Sequence, residues 1–328
     1  MGRTIFPSAF ARRLLARLCS VPFIGAAILA VVIAATSLRF PDGYGGEGGL
    51  NIAFTLFGVL TAIALVARAA QPDSKLVALF ETLFFAVLIS LTGAVASAGL
   101  ARLGGDYVDP QLAAVDGWIL PFLDWRAVAF ALPENPFSYR LLGEIYVSLN
   151  WQPFALLLVI AIWGKVRDFD RFVGAWTLTM LACVLPFAFF AAQGPYTYFG
   201  ISQSDLANSS VVLPWHYPPI LAAIRNGSMT SLSDDCISGL VTFPSLHAAS
   251  AMVLASAFWR FRWLAWPMLG LNVMMALAAV PIGGHYFIDV IVGSAIGLSA
   301  YRLATWISEA RGIVLQNDAS SHISVALT

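Results

Sequence analysis

Two short stretches carry residues whose types and spacing suit phosphate chemistry. The first, Thr242–Ser250, reads TFPSLHAAS and sets His247 just behind Pro244 and Ser245. The second, Val280–Asp289, reads VPIGGHYFID and places Asp289 four residues after His285. On a helix, positions i and i+4 share a face, so the carboxylate can hold one ring nitrogen of His285 and leave the other free as a nucleophile. His247 then protonates the leaving oxygen. Ser245 supplies a hydroxyl at a helix start, where unpaired N–H groups and the helix dipole favour an anion. Gly283-Gly284 allow a tight turn and close approach of a ligand to backbone. Taken alone, either histidine also reads as a helix cap, and the H-x3-D pair as a structural hydrogen bond or half a metal site. A metal needs more ligands, and no H-E-x-x-H or similar set is present.

These residues must be brought together by elements that lie in a membrane. The 328 residues are 59% hydrophobic and 11% charged, with mean hydropathy +0.80. A soluble domain carries about 25% charged residues, and its exterior must be largely polar. A large soluble enzyme is therefore excluded. With 18 basic and 18 acidic side chains the formal charge is zero, which leaves no electrostatic case for a nucleic-acid partner. Cys19, Cys183 and Cys236 have neither zinc-site nor disulfide-framework spacing. Glu81 and Asn272 fall inside apolar runs and are expected to make interhelical hydrogen bonds.

The sequence predicts an all-α, polytopic helix bundle. Continuous apolar runs of roughly 20 residues point to helices rather than barrel strands. Eight qualify: Val21–Leu38, Leu50–Ala67, Leu76–Leu100, Ile145–Gly164, Phe172–Ala192, Pro244–Trp259, Leu264–Ile282 and His285–Ile307. The first, behind Arg3, Arg12, Arg13 and Arg17, reads as a retained membrane helix rather than a cleaved signal. With both termini inside, only Arg39, Arg102, Arg126, Arg140 and Arg225 fall outside; the other thirteen Lys and Arg lie inside. That orientation is N-in and C-in. It puts His247 and His285 on one outer face, because the sixth span runs inward and the seventh returns. The sixth is short, about 24 Å for its 16 residues, so its start is expected to sit in a recess.

Three regions are predicted. Residues 1–170 hold the N-terminal membrane helices and a long outer loop at 101–144. Residues 171–311 hold a catalytic helix bundle with a second long connection at 193–242. Residues 312–328 are read as a mobile polar tail. Within 101–144, Leu112–Trp125 and Val128–Leu132 are too short to span and are expected to lie along the membrane surface.

At Pro244–His247 and His285–Asp289 the chain resembles the type 2 phosphatidic acid phosphatase superfamily. Its P-S-G-H motif corresponds to Pro244-Ser245-Leu246-His247, and the end of its third motif to His285-Tyr286-Phe287-Ile288-Asp289. The similarity is concentrated in Thr242–Ile307. It implies a metal- and cofactor-independent route through a phosphohistidine, with His285 as nucleophile, Asp289 as its partner and His247 as the acid. Phosphate binding would draw on Ser245, Leu246 and Gly284. Three departures stand out. No K-x6-R-P motif occurs near Pro186–Tyr196, Ala279 replaces the arginine six residues before His285, and Leu246 replaces the glycine of P-S-G-H. These features are similar to the inositol phosphorylceramide synthase branch, with its F-P-S-L-H and H-Y-x-x-D. Arg140 and Arg225, in the outer loops, are then the candidates to hold phosphate, since an arginine fork matches its oxygens.

The expected activity is phosphoryl or phospho-head-group transfer from a membrane lipid phosphate to an alcohol or sugar acceptor. Lipid phosphate hydrolysis is the alternative, and a transporter or non-catalytic scaffold the second. The default setting is a bacterial inner membrane with a periplasmic active site. His216, between Trp215 and Tyr217, is expected in an interfacial aromatic cluster, and His322 in the tail is expected to take no part.

Overall fold

The computed structural model describes residues 9–40, 42, 49–122, 124, 127, 136–205, 213–231 and 240–326. Every regular element among them is helical. The helices are α1 (Ala9–Leu18), α2 (Val21–Ser37), α3 (Gly49–Ala70), α4 (Lys75–Ala101), α5 (Asp109–Ile119), α6 (Pro136–Val147), α7 (Gln152–Trp163), α8 (Val166–Val184), α9 (Leu213–Asn226), α10 (Leu246–Phe258), α11 (Arg262–Ala278) and α12 (Phe287–Ala326). Local sequence explains several starts. Ser74 caps α4 by accepting from the Val77 N–H (3.3 Å), and Asp168 accepts from the Lys165 N–H (2.8 Å) at the head of α8. Cys236, Arg126, Glu134 and the run Val128–Leu132 lie outside the described residues.

Four helices are long and apolar enough to cross a bilayer: Asn51–Ala70, Lys75–Ala101, Val166–Ala188 and Phe287–Ala310. Two bent pairs raise the number to six. Ala9–Leu18 meets Val21–Ser37 at 49°, and Phe137–Asn150 meets Gln152–Trp163 at 53°. The protein is an integral membrane protein with four to six candidate spans among the described residues, against the eight expected. The shortfall has a length cause. α10 has 13 residues, about 20 Å against a core of about 30 Å. α11 has 17 residues and an internal proline, Pro267.

Loop 101–144 contains α5 and the start of α6, and α5 buries one face, with Asp109, Leu112 and Asp116, while Val115 and Trp118 stay exposed. α12 continues to Ala326, through most of the stretch read as a tail. No Gly or Pro occurs from Ile313 to Ala326 to stop it.

The main core joins α6, α7, α8, α10, α11 and α12. Tyr146, Leu157, Phe172, Val253, Met275 and Val290 contribute to it. It therefore reaches back across residue 171 to take in α6 and α7. At its centre α10 and α12 are in close contact. A Cβ on Gly293 would strike the Ser245 carbonyl, and one on Gly297 the Ala249 carbonyl. Small residues four apart permit such an approach between membrane helices. It seats the first turn of α10, with His247, against the first turns of α12. Gly297→Leu is expected to force the helices apart, costing about 1–3 kcal/mol. Thermal unfolding in detergent micelles measures this.

Two ion-pair groups adjoin at the head of α8. In one, Arg17 and Arg68 meet Asp170 (2.7 and 3.4 Å), and Arg68 meets Glu81 (3.1 Å). In the other, Asp168 meets Arg171 (3.0 Å) and Arg260 (2.9 Å), while Arg171 reaches Glu309 (2.7 Å). The buried pair among them that joins two helices, Arg68 with Glu81, specifies which helix ends meet more than it adds to stability. Glu81 thus takes the interhelical role expected of it. Asn272 does too, donating from Nδ2 to Gln152 Oε1 (2.9 Å).

Candidate active site

The site forms where the first turn of α10 faces the turn between α11 and α12. Ser245 is the N-cap of α10, and its Oγ accepts from the Ala248 N–H at 3.4 Å. Its own N–H donates to the Asp289 carbonyl (3.1 Å). α10 therefore starts one residue after Ser245, which serves as cap and tie to α12 and is fully buried. Ser245 does not line the cavity, whereas Leu246 and His247 do. The N–H groups of Leu246 and His247 have no intrahelical acceptor, as at any helix start.

α11 ends at Ala278, and turns carry the chain to His285. Gly284 has φ +69°, and a Cβ there would press on Pro214 at the start of α9. Its carbonyl accepts from the Tyr217 hydroxyl (3.3 Å). Gly284 is thus a turn residue, and Gly283 takes the place on the cavity wall that was expected of it.

His285 and Asp289 meet as expected. His285 Nδ1 lies 3.3 Å from Asp289 Oδ2, and the Tyr286 N–H donates to the same oxygen (2.9 Å). This leaves Nε2 as the uncommitted ring nitrogen of His285. Asp289 Oδ1 is buried with no partner among the described residues. A carboxylate so placed stabilises positive charge that develops on the imidazole when Nε2 bonds to phosphorus.

Two aspartates of α5 hold this arrangement. Asp116 accepts from the N–H groups of Phe287 and Ile288, both at 2.9 Å, and so satisfies the start of α12. Asp109 Oδ1 accepts from the Tyr286 hydroxyl (3.1 Å) and the Gly194 N–H (2.8 Å), and Oδ2 accepts from the Gln193 N–H (2.9 Å). Burial pushes the Asp109 carboxyl above the usual carboxylate range, and these hydrogen bonds oppose the push.

Tyr146 is a further residue the sequence did not single out. Its ring stacks on His247 with centroids 4.0 Å apart at 13°, and its hydroxyl lies 3.1 Å from His247 Nδ1. A tyrosine hydroxyl both donates and accepts. It can therefore accept from Nδ1–H both in the charged ring, whose Nε2–H is donated, and in the neutral ring left afterwards, whose bare Nε2 can take a proton back. Tyr146→Phe keeps the stack and removes this bond. The expected result is about a tenfold fall in kcat with KM unchanged, since a hydrogen bond to a charged group contributes about 1.5 kcal/mol. Steady-state kinetics separate the two constants.

His247, His285, Leu246, Gly283 and Tyr146 all line one cavity of about 610 Å³. His216, expected only in an aromatic cluster, lines it as well. Its neighbour Trp215 does enter such a cluster, edge-on to Tyr196 at 5.0 Å. Arg140 and Arg225 do not line the cavity. Arg140 is exposed on α6. Arg225 lies eight residues along α9 from Tyr217, about 12 Å away, with its guanidinium over the Tyr107 ring at 4.3 Å. Among the described residues no Lys or Arg lines the cavity.

A buried histidine–carboxylate pair and a second histidine thus adjoin one cavity in a helical membrane protein, an arrangement whose chemistry suits phosphate esters. Comparison with known families agrees. A family model described as the PAP2 superfamily matches residues 110–303, more than half of the chain, and the protein belongs to that superfamily. It is accordingly an enzyme of the lipid phosphatase and phosphotransferase group. Neither the curated proteins nor the solved structures contain a significant match. The matched span begins inside α5, so it takes in Asp116 and Tyr146 as well as the two histidine motifs.

Proposed function

We propose that the protein is a lipid phosphotransferase like the inositol phosphorylceramide synthases, acting through a phosphohistidine without a metal ion. His285 Nε2 attacks the phosphorus of a membrane lipid phosphate ester. The bond from phosphorus to the leaving oxygen breaks, and His247 Nε2 delivers its proton to that oxygen. An acceptor alcohol then gives its proton back to His247 and attacks the same phosphorus, which frees His285. The observation that carries this reading is the single cavity lined by both histidines, with Asp289 held on Nδ1 of the nucleophile.

Transfer is favoured over hydrolysis by the lining. Most of it is apolar, and the Lys and Arg expected of the phosphatases are missing from it among the described residues. Such a wall excludes bulk water and favours an alcohol already bound. The wider setting is a bundle of eight crossings, N-in and C-in, in a bacterial inner membrane, with the histidines at the periplasmic side. α10 and α11 supply the two crossings too short to qualify by length alone. The inward lean of positive charge supports this orientation, as does the meeting of Arg17, Arg68, Arg171 and Arg260 around the head of α8.

The test is a product profile. Purified protein is incubated with phosphorus-labelled lipid phosphates, with and without inositol or another alcohol. Label appearing in a phosphate ester of the added alcohol, with release of the unphosphorylated lipid alcohol, is expected. Release of inorganic phosphate alone would overturn transfer and leave hydrolysis as the activity.

A further inference from the structure

The cavity extends well beyond the histidines. On α4 it is lined by Leu83, Ala86, Val87, Ser90, Leu91, Gly93, Ala94 and Ser97, one face of the helix over about four turns. From Ser97, near the histidines, to Leu83 is 14 residues, about 21 Å. That exceeds the roughly 15 Å depth of one leaflet of a 30 Å core. Halfway along stands Trp176 of α8. Its indole N–H donates to Ser90 Oγ (3.1 Å), and Ser90 Oγ in turn donates to the Ala86 carbonyl (2.8 Å). Phe172 packs against its ring at 5.6 Å. Trp176 is thus a fixed wall rather than a mobile side chain. The inner half beyond it, at Leu83, Ala86, Val87 and Leu157, is apolar throughout. The edge of the cavity opens sideways, where Val147 (43% exposed) and Phe154 (51% exposed) flank the break between α6 and α7.

We propose that the part of the cavity beyond Trp176 is a chain-end subsite, which makes the enzyme select a substrate with one hydrocarbon chain long enough to pass Trp176. The phosphate sits at His247 and His285, one chain runs along α4 inside the protein, and any further chain stays in the bilayer through the lateral opening. This rests on the phosphoryl-transfer reading for the head of the substrate. The occupant follows from continuity, because the apolar groove and the catalytic histidines share one cavity. The volume suits a single small ligand rather than a whole bilayer lipid.

The test compares n-octyl and n-hexadecyl phosphate as substrates for wild type, Ala86→Phe and Leu83→Trp. Both substitutions fill the inner half and leave the histidine end untouched. The expected result is at least a tenfold loss of kcat/KM for hexadecyl phosphate, with octyl phosphate within twofold of wild type. Octyl turnover also reports folding, and Leu83→Trp, at the cavity floor, decides the matter if Ala86→Phe does not fold. Equal losses for both chains, or no loss for either, overturn the proposal. Thermal stabilisation by the matching non-hydrolysable alkyl phosphonates separates the chain subsite from the chemistry. If neither phosphate turns over but hexadecyl phosphonate stabilises wild type more than octyl phosphonate, and Ala86→Phe or Leu83→Trp erases the difference, the subsite stands and the catalytic reading falls. Phosphonate binding independent of chain length means that only bystander bilayer lipid fills the groove, and the subsite falls.

Discussion

His285→Ala is expected to abolish the phosphoenzyme. Rapid-quench experiments with labelled lipid phosphate should show acid-labile, protein-bound label in wild type and none in the variant, with turnover lower by roughly 10⁴-fold or more, as for loss of a covalent nucleophile. The cavity holds three histidines, so the experiment discriminates. His285 has a carboxylate against Nδ1 at 3.3 Å, His247 has a tyrosine hydroxyl at 3.1 Å, and His216 is exposed at the wall. Only the first arrangement both fixes the tautomer and offsets positive charge on a phosphorylated ring. Asp289→Asn should keep the geometry and slow phosphorylation, because an amide cannot balance that charge. If label persists on His285→Ala and disappears from His216→Ala, the nucleophile has been misassigned. If turnover of His285→Ala equals wild type, the covalent route itself is wrong.

The convergence of His247 and His285 was legible without coordinates, because two helices of opposite direction return the chain to the same face. So was the i, i+4 pairing of His285 with Asp289. The supports around them were not. Tyr146 lies 101 residues before His247 in an apolar run, where nothing marks one aromatic over its neighbours. Nothing in the sequence marked Asp109 and Asp116, since the donors they satisfy, on Tyr286 through Ile288 and on Gln193 and Gly194, are far along the chain. Arg225 was a candidate as an outer-loop arginine, but it lies on α9, whose rise carries it away from the cavity-lining His216 and Tyr217. The span count differs at α10, whose 13 residues are too few to qualify as a crossing by length alone. Composition thus reports the medium and the helices, whereas the polar contacts that aim the site come from sequence-distant partners.

His247→Ala is expected to separate the two halves of the reaction. With a lipid phosphate the leaving group is an alkoxide, and losing the proton donor should lower turnover by about 10²–10⁴-fold. With a nitrophenyl phosphate the leaving oxygen needs no proton, so His285 should still be phosphorylated at a rate near that of wild type. The return step stays impaired even then, because the acceptor alcohol must lose its proton to the same ring. The variant should therefore accumulate phosphoenzyme, with a burst of nitrophenol close to one equivalent followed by a slow steady state, and added alcohol should quicken that steady state little. Tyr146→Phe should give a milder version of the lipid phosphate defect and no burst, because His247 is present but less well held. Equal losses on both substrates would mean that His247 orients the phosphate instead of moving a proton. The acid would then have to come from elsewhere on the cavity wall, with His216 the side chain equipped to provide it.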